Sequence, residues 1–393
     1  MNQVDLLNLS PLAQLLLLGG GIGAIFLVWV WVRHRHATPA QRLQALRVLT
    51  LFLVFDLILF GAYTRLSDSG LGCPDWPGCY GHASPLGAVT HIAAAQAQMP
   101  TGPVTHSKAW VEMIHRYLAT SVGALLTALT LLSWYQAWRA RSQTAWREPS
   151  VSPWWPTLTL LWVCVIGVFG ALTVTMKLFP VIVTLHLLSA LVLLMMLCVQ
   201  VVRGAQPVAT VRPMGVGLLR LVYAALGVVL VQVALGGWVS TNYAVMACTD
   251  FPVCQGSWWP DMDFKQGFEL WRHLGETGAG DNLSFAALTA IHYAHRLLAY
   301  AVLTVLVVLA WLLNRTWVWR LPSRVLAALT GLQLATGLGN VVLGWPLVAA
   351  LLHTGGAAAM VLTLTWVVVS AASPDKHHGF ESRGRKPKVR HIR

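Results

Sequence analysis

The chain has 393 residues, 27 of them Lys or Arg and 14 Asp or Glu, while 56% are hydrophobic. Charged side chains at 10% cannot cover a water-facing surface, which excludes soluble enzymes and DNA-binding domains and leaves a membrane protein. The net charge of +13 does not point to nucleic acid, because the cations sit in short loops between apolar stretches and in the tail, where they set orientation.

Apolar stretches of about 20 residues can cross a bilayer as helices whose backbone groups bond to one another. They predict nine spans, at 11–32, 43–66, 112–138, 154–176, 181–203, 216–240, 284–313, 323–345 and 347–371. The first has no cationic segment before it and no small-residue cleavage site after it, so it reads as a retained helix rather than a signal peptide. An Arg/Ser-rich presequence is also absent, which makes a bacterial inner membrane the expected address. Placing the 33–47 loop in the cytoplasm puts 20 of the 27 cations on that side, Arg147 and the tail at 376–393 included. The N-terminus is then outside and the C-terminus cytoplasmic. The tail reads as a solvated basic end.

Between the second and third spans stands Cys73-Pro-Asp75-Trp76-Pro77-Gly-Cys79, and 175 residues later Cys248-Thr-Asp250-Phe251-Pro252-Val-Cys254 repeats the pattern C-x-D-[WF]-P-x-C. The surrounding order repeats as well: a helix, the outer Cys loop, a helix with a His-Arg pair (His115-Arg116, His295-Arg296), a helix, then a helix with a single His near its start (His186, His353). The expected fold is therefore an all-α integral membrane protein, a tandem pair of four-helix bundles with one extra N-terminal helix. Each unit has an even number of spans, so the pseudo-two-fold axis runs along the membrane normal. The expected divisions are 1–40 for the extra helix, 41–212 and 213–375 for the two bundles, and 376–393 for the tail. Both Cys pairs lie outside the cytoplasm and can close tight disulfides, as structural staples or with a redox role for one of them. Zinc does not suit this spacing. Cys164 and Cys198, inside spans, read as packed thiols.

Five histidines fall within spans: His115, His186, His292, His295 and His353. A polar ring in hydrocarbon has to face the bundle interior and find a partner. Each unit carries one His on its second helix and one on its fourth, both near the outer end, and two imidazoles facing each other at similar depth can ligate one haem iron. Two such pairs imply two haem sites. Arg65, Arg116 and Arg296 are either counter-ions for the propionates or cations snorkelling to the outer interface. The halves differ at one position: Glu112 lies one helical turn before His115, whereas His292 lies one turn before His295. That carboxylate can act as a base or stabilise developing positive charge, or it is an acid favoured at a helix start. Asp56, in the middle of a span, is a further candidate for proton movement.

The run Thr64-Arg65-Leu66-Ser67-Asp68-Ser69-Gly70-Leu71, the Glu112-x-x-His115-Arg116 and His295-Arg296 elements, and the two single histidines together resemble the haem A synthase family over residues 43–371. The resemblance implies an eight-helix core of two four-helix bundles. It implies a haem b cofactor ligated by His295 and His353, the substrate haem O flanked by His115 and His186, and Glu112 as the essential carboxylate. The chemistry implied is oxidation of a porphyrin methyl group to an alcohol and then an aldehyde, with water as the oxygen source. It also makes Cys73 and Cys79 better redox candidates than Cys248 and Cys254. The expected partners are haem O synthase, an electron acceptor and membrane lipid, with no nucleic acid. Three features depart from the family pattern: the extra first helix, the long outer loop at about 80–110, and His292 as a competitor of His295. The competing readings are a non-catalytic di-haem protein that carries electrons or haem, and a quinone-linked thiol oxidase using the outer Cys pairs.

Overall fold

The computed structural model describes residues 10–141, 151–205 and 212–372. Arg147 and the expected basic tail at 376–393 lie outside the described residues. The helices are α1 (Ser10–Arg33), α2 (Pro39–Leu66), α3 (Val89–Gln98), α4 (His106–Arg141), α5 (Trp154–Thr175), α6 (Pro180–Ala205), α7 (Val216–Thr241), α8 (Phe264–Gly267), α9 (Phe285–Asn314), α10 (Arg320–Val342) and α11 (Leu347–Ser370). Among the described residues, nine helices are long and apolar enough to cross a membrane, all but α3 and α8. The chain is a multi-pass membrane protein of helices.

Local chemistry starts the helices where the site needs them. Thr38 and Gln41 form a reciprocal capping box at the head of α2, followed by Pro39, whose missing N–H costs nothing there. The Ser284 hydroxyl accepts from the Ala287 N–H at 3.2 Å and caps α9. The two longest helices are α4, with 36 residues, and α9, with 30. At 1.5 Å per residue they run about 54 and 45 Å, well beyond the hydrocarbon thickness, so each projects out of the membrane to support a loop. One boundary differs from the sequence expectation. The third span was predicted from 112, but α4 begins at His106. Glu112 therefore stands in the second turn, and the first turn of α4 has no acidic residue. The helix-start explanation for Glu112 does not apply.

Packing follows closed rings. In the first half α2 packs on α4, α4 on α5, α5 on α6, and α6 on α2; in the second, α7 packs on α9, α9 on α10, α10 on α11, and α11 on α7. The rings meet where α6 touches α7 and α11, and where α2 touches α11. Each ring has its own apolar interior, with Val54, Ile58, Leu125, Leu129 and Leu194 in the first and Leu226, Val302, Leu309 and Leu364 in the second. Lipid is as apolar as these side chains, so close packing rather than water exclusion holds the helices together. The extra helix α1 lies against α4 through Gly19 and Gly23; a Cβ on Gly19 would fall inside the Thr120 side chain, and one on Gly23 would sit 3.2 Å from Ala124 Cβ. Part of the long first outer loop is α3, whose Ile92 is buried beside Leu15 of α1 and the Cys73–Cys79 pair. At the opposite end, β1 (Arg212–Pro213) pairs in parallel with β2 (Ala371–Ala372), joining the chain entering α7 to the chain leaving α11.

Candidate functional site

The two Cys loops are near copies. Cys73–Cys79 and Cys248–Cys254 are both closed as disulfides, with Cα atoms 4.9 Å apart. Asp75 accepts the N–H groups of Tyr80 and Gly81 at 2.6 and 2.7 Å, and Asp250 accepts those of Gln255 and Gly256 at 2.9 and 2.8 Å. Gly256 and Gln255 hold the Asp250 carboxyl below the usual carboxylate range. Each loop is fastened from below by the arginine that follows the pocket histidine. Arg116 donates to the carbonyls of Asp75, Pro77 and Gly78 at 3.1, 3.0 and 2.6 Å. Arg296 donates to Asp250, Val253 and Cys248 at 2.9, 2.8 and 3.1 Å. Neither guanidinium is snorkelling; both turn into the loops.

Beneath the loops, each ring of helices carries its histidines on diagonal members, α4 and α6 in the first half and α9 and α11 in the second. The two histidines of each half thus come from helices that face each other across one ring. The intervening helices contribute a glycine against every ring. A Cβ on Gly61 would lie 3.1 Å from His115 Cε1, and on Gly170 3.4 Å from His186 Cε1; the figures are 3.0 Å for Gly236 on His295 and 3.3 Å for Gly337 on His353. The Nδ1 atoms of His115 and His186 are buried without a hydrogen-bond partner. A buried nitrogen lacking a partner is costly in a membrane interior, and an imidazole with glycine at its side and a free nitrogen is suited to a metal centre. The residues present fit haem.

The pockets differ in their polar groups. Glu112 is 4% exposed; one carboxylate oxygen is ion-paired with Arg116 and the other accepts the Cys73 N–H at 2.8 Å. The acid is thus tied to the first disulfide loop. Its counterpart His292 has Nδ1 3.0 Å from the Ala244 carbonyl and Nε2 3.5 Å from Arg296, so both its nitrogens serve the loop side while His295 meets Gly236. Around the second-half histidines stand polar groups that sequence reasoning passed over. Gln232 donates to the His295 carbonyl at 3.0 Å, with the same nitrogen 3.1 Å from Nδ1 and 3.4 Å from Nε2 of that ring; Gln333 donates to the His353 carbonyl at 2.9 Å; and Thr336 Oγ1 lies 2.9 Å from His353 Nδ1. Registering the repeat would have found the glycines, since Gly61 and Gly236 share the 175-residue spacing of the Cys loops, and Gly170 and Gly337 share the spacing of His186 and His353.

Other expected residues fall elsewhere. Arg65 sits between the halves, paired with Asp68, donating to the Ser240 carbonyl and stacked 4.1 Å over the Tyr243 ring. Asp56 is partly exposed in the middle of α2. Cys198 is buried as expected, whereas Cys164 is exposed on α5.

The profile of the COX15-CtaA family, cytochrome oxidase assembly proteins, matches residues 44–365. The chain is 36% identical over 328 residues to a haem A synthase of Shewanella oneidensis, covering 83% of this chain and 96% of that protein. It is 27% identical over 342 residues to a haem A synthase of Halalkalibacterium halodurans, covering 84% and 97%. One of Caulobacter vibrioides is 27% identical over 340 residues, covering 80% and 91%. The matched region begins after α1 and contains both histidine pairs, both Cys loops and Glu112, and on that extent of likeness the chain belongs to the COX15-CtaA, or haem A synthase, family.

Proposed function

We propose that this chain oxidises haem O to haem A in a bacterial inner membrane, with the substrate held in the first half and a haem b cofactor in the second. The observation that carries this reading is an asymmetry between like pockets. Both have two histidines set against glycines, and only the first has a buried carboxylate one turn from its histidine. The relatives named haem A synthase support the same chemistry.

Under this reading residues 41–212 and 213–375 are two four-helix bundles about a pseudo-two-fold axis along the membrane normal, residues 1–40 add one helix, and the C-terminus is cytoplasmic. Two contacts support the axis. Arg65 donates to the Ser240 carbonyl, and the Tyr243 hydroxyl donates to Asp68 Oδ1 at 2.7 Å; in both, the partners are 175 residues apart, the spacing of the repeat. A two-fold axis through an interface brings residues against their own equivalents.

His295 and His353 would hold haem b, and His115 and His186 would flank haem O. When bound, haem b supplies one-electron transfer out of the site. The porphyrin methyl group gains a water oxygen to become an alcohol and then loses hydrogen to become an aldehyde, releasing two protons and two electrons at each step to an acceptor outside the chain. Glu112 stabilises positive charge at the reacting carbon and takes a proton. Its oxygens keep free lone pairs beside the bonds from Arg116 and Cys73. Arg116 and Arg296 hold the loops over the pockets, and with Arg65 offer their remaining donors to propionates. The partners are haem O synthase, which supplies the substrate, and the electron acceptor.

The test is Glu112→Ala, assayed by mass spectrometry of the extracted porphyrins. Haem A formation should fall about 10²-fold or more while haem b stays bound. Full activity would remove Glu112 from the mechanism. A second reading, a non-catalytic di-haem carrier, is favoured by the likeness of the two glycine cradles; it requires that the wild-type protein release its haem chemically unchanged.

A further inference from the structure

The second half contains a polar clamp that the first half lacks. Gln232 and Gly236 on α7 are four residues apart, as are Gln333 and Gly337 on α10. In each pair the glutamine donates to the backbone carbonyl of a pocket histidine, His295 or His353, while the glycine faces that histidine's Cε1. Thr336 adds a bond to the ring. Its hydroxyl donates to the Leu332 carbonyl at 2.7 Å, so its single proton is committed, and at 2.9 Å from His353 Nδ1 the oxygen accepts the ring proton. His353 is thereby held with Nδ1 protonated and Nε2 free to bind iron.

The matching positions in the first half are apolar. Leu57 stands four residues before Gly61 and Ile166 four before Gly170, and Phe169 takes the place of Thr336. The Nδ1 atoms of both first-half histidines correspondingly have no side-chain partner, and the nearest polar group to the His186 ring is the Ile166 backbone carbonyl. A glutamine inside a membrane bundle is costly unless it is bonded, so two glutamines and a threonine on the second-half histidines alone call for a reason specific to that pocket.

We propose that Gln232, Gln333 and Thr336 are positioning residues that fix His295 and His353 as permanent ligands, and that Leu57, Ile166 and Phe169 leave His115 and His186 free to yield their haem. The inference rests on the assignment of haem b to the second half and deepens it. A bound substrate has to leave as product, and a cofactor has to stay; the clamp separates the two tasks on otherwise similar scaffolds. A ligand histidine is commonly oriented, and its imidazole made more electron-rich, by a group that accepts its other ring N–H, as Thr336 does for His353; the two glutamines act on the backbone carbonyls.

The experiment uses the purified full chain with its native haem. Thr336→Val should raise the midpoint potential of the second-half haem, because a less electron-rich imidazole favours ferrous iron, and Thr336→Ser should restore the wild-type value. Gln232→Leu with Gln333→Leu should speed haem loss to added apomyoglobin at least about 10-fold. The reciprocal Leu57→Gln with Ile166→Gln should slow loss from the first half. If the second-half haem is present and its potential and both loss rates are unchanged across these variants, the clamp is overturned while the haem assignment stands. If His295→Ala and His353→Ala leave the haem spectrum intact, the assignment itself fails. Should the double glutamine variant not fold, the Thr336→Val and Thr336→Ser pair decides the question alone.

Discussion

In the second half, His353 is bonded through its ring to Thr336 and through its carbonyl to Gln333, and His295 is bonded to Gln232; in the first half, the rings of His115 and His186 lean on glycines with their Nδ1 atoms unpartnered. The loops above reverse the contrast. Glu112 ties the first Cys loop to α4 through a carboxylate, while His292 meets the Ala244 carbonyl before the second loop and lies 3.5 Å from the Arg296 guanidinium. The two halves share a ring of four helices, a Cys loop and a pair of histidines, and differ in their polar groups. The first half has a buried carboxylate beside rings without a side-chain hydrogen bond, and the second has hydrogen-bonded histidines with His292 in the place of the acid. A site that must bind, react and release needs the former, and a site that passes electrons needs the latter.

The largest expected effect separates the pockets outright. His295→Ala or His353→Ala should abolish the low-spin haem signal of the second half, read by optical or paramagnetic resonance spectra, whereas His115→Ala should leave that signal and abolish haem A formation. Equal loss from all three would break the division of labour. Next come the cradles. Gly236→Leu should expel the second-half haem and Gly61→Leu should block the first pocket, since even a Cβ would crowd the rings at 3.0 and 3.1 Å; haem content per chain checks this, and normal occupancy in both variants would show that the glycines have no such role. The smaller effect lies in the loops. Arg116→Ala leaves Glu112 as an unpaired buried charge and should cost about 3–5 kcal/mol in thermal or denaturant unfolding. Arg296→Ala frees loop carbonyls and a long contact to His292 but strands no carboxylate, and should cost less, about 1–3 kcal/mol. Equal losses would mean that the carboxylate adds nothing to the first loop.

Much of this was legible in the sequence. The spans are local features, runs of apolar residues long enough for a bilayer, and their number and order match the helices. The Cys loops could be read because Asp and Pro between the cysteines favour a tight turn. The start of α4 was not legible: His106, Ser107 and Lys108 are too polar to register as part of a span, yet they continue the helix beyond it. The loop contacts of the arginines were not legible for a related reason. In sequence Arg116 and Arg296 are cations beside histidines, and only the folded loops bring three carbonyls to each guanidinium.

By itself, the sequence determined what depends on composition and short spacing: a helical membrane chain, a repeated C-x-D-[WF]-P-x-C loop, two histidine-arginine pairs and one unmatched glutamate. Tertiary structure alone decided which glycine meets which imidazole, which histidines gain a hydrogen bond, and that Glu112 answers to Cys73. Glycine and glutamine carry no distinctive signal within a span. Their meaning comes from the ring that a neighbouring helix places against them, and that contact is set by packing between segments far apart in the chain.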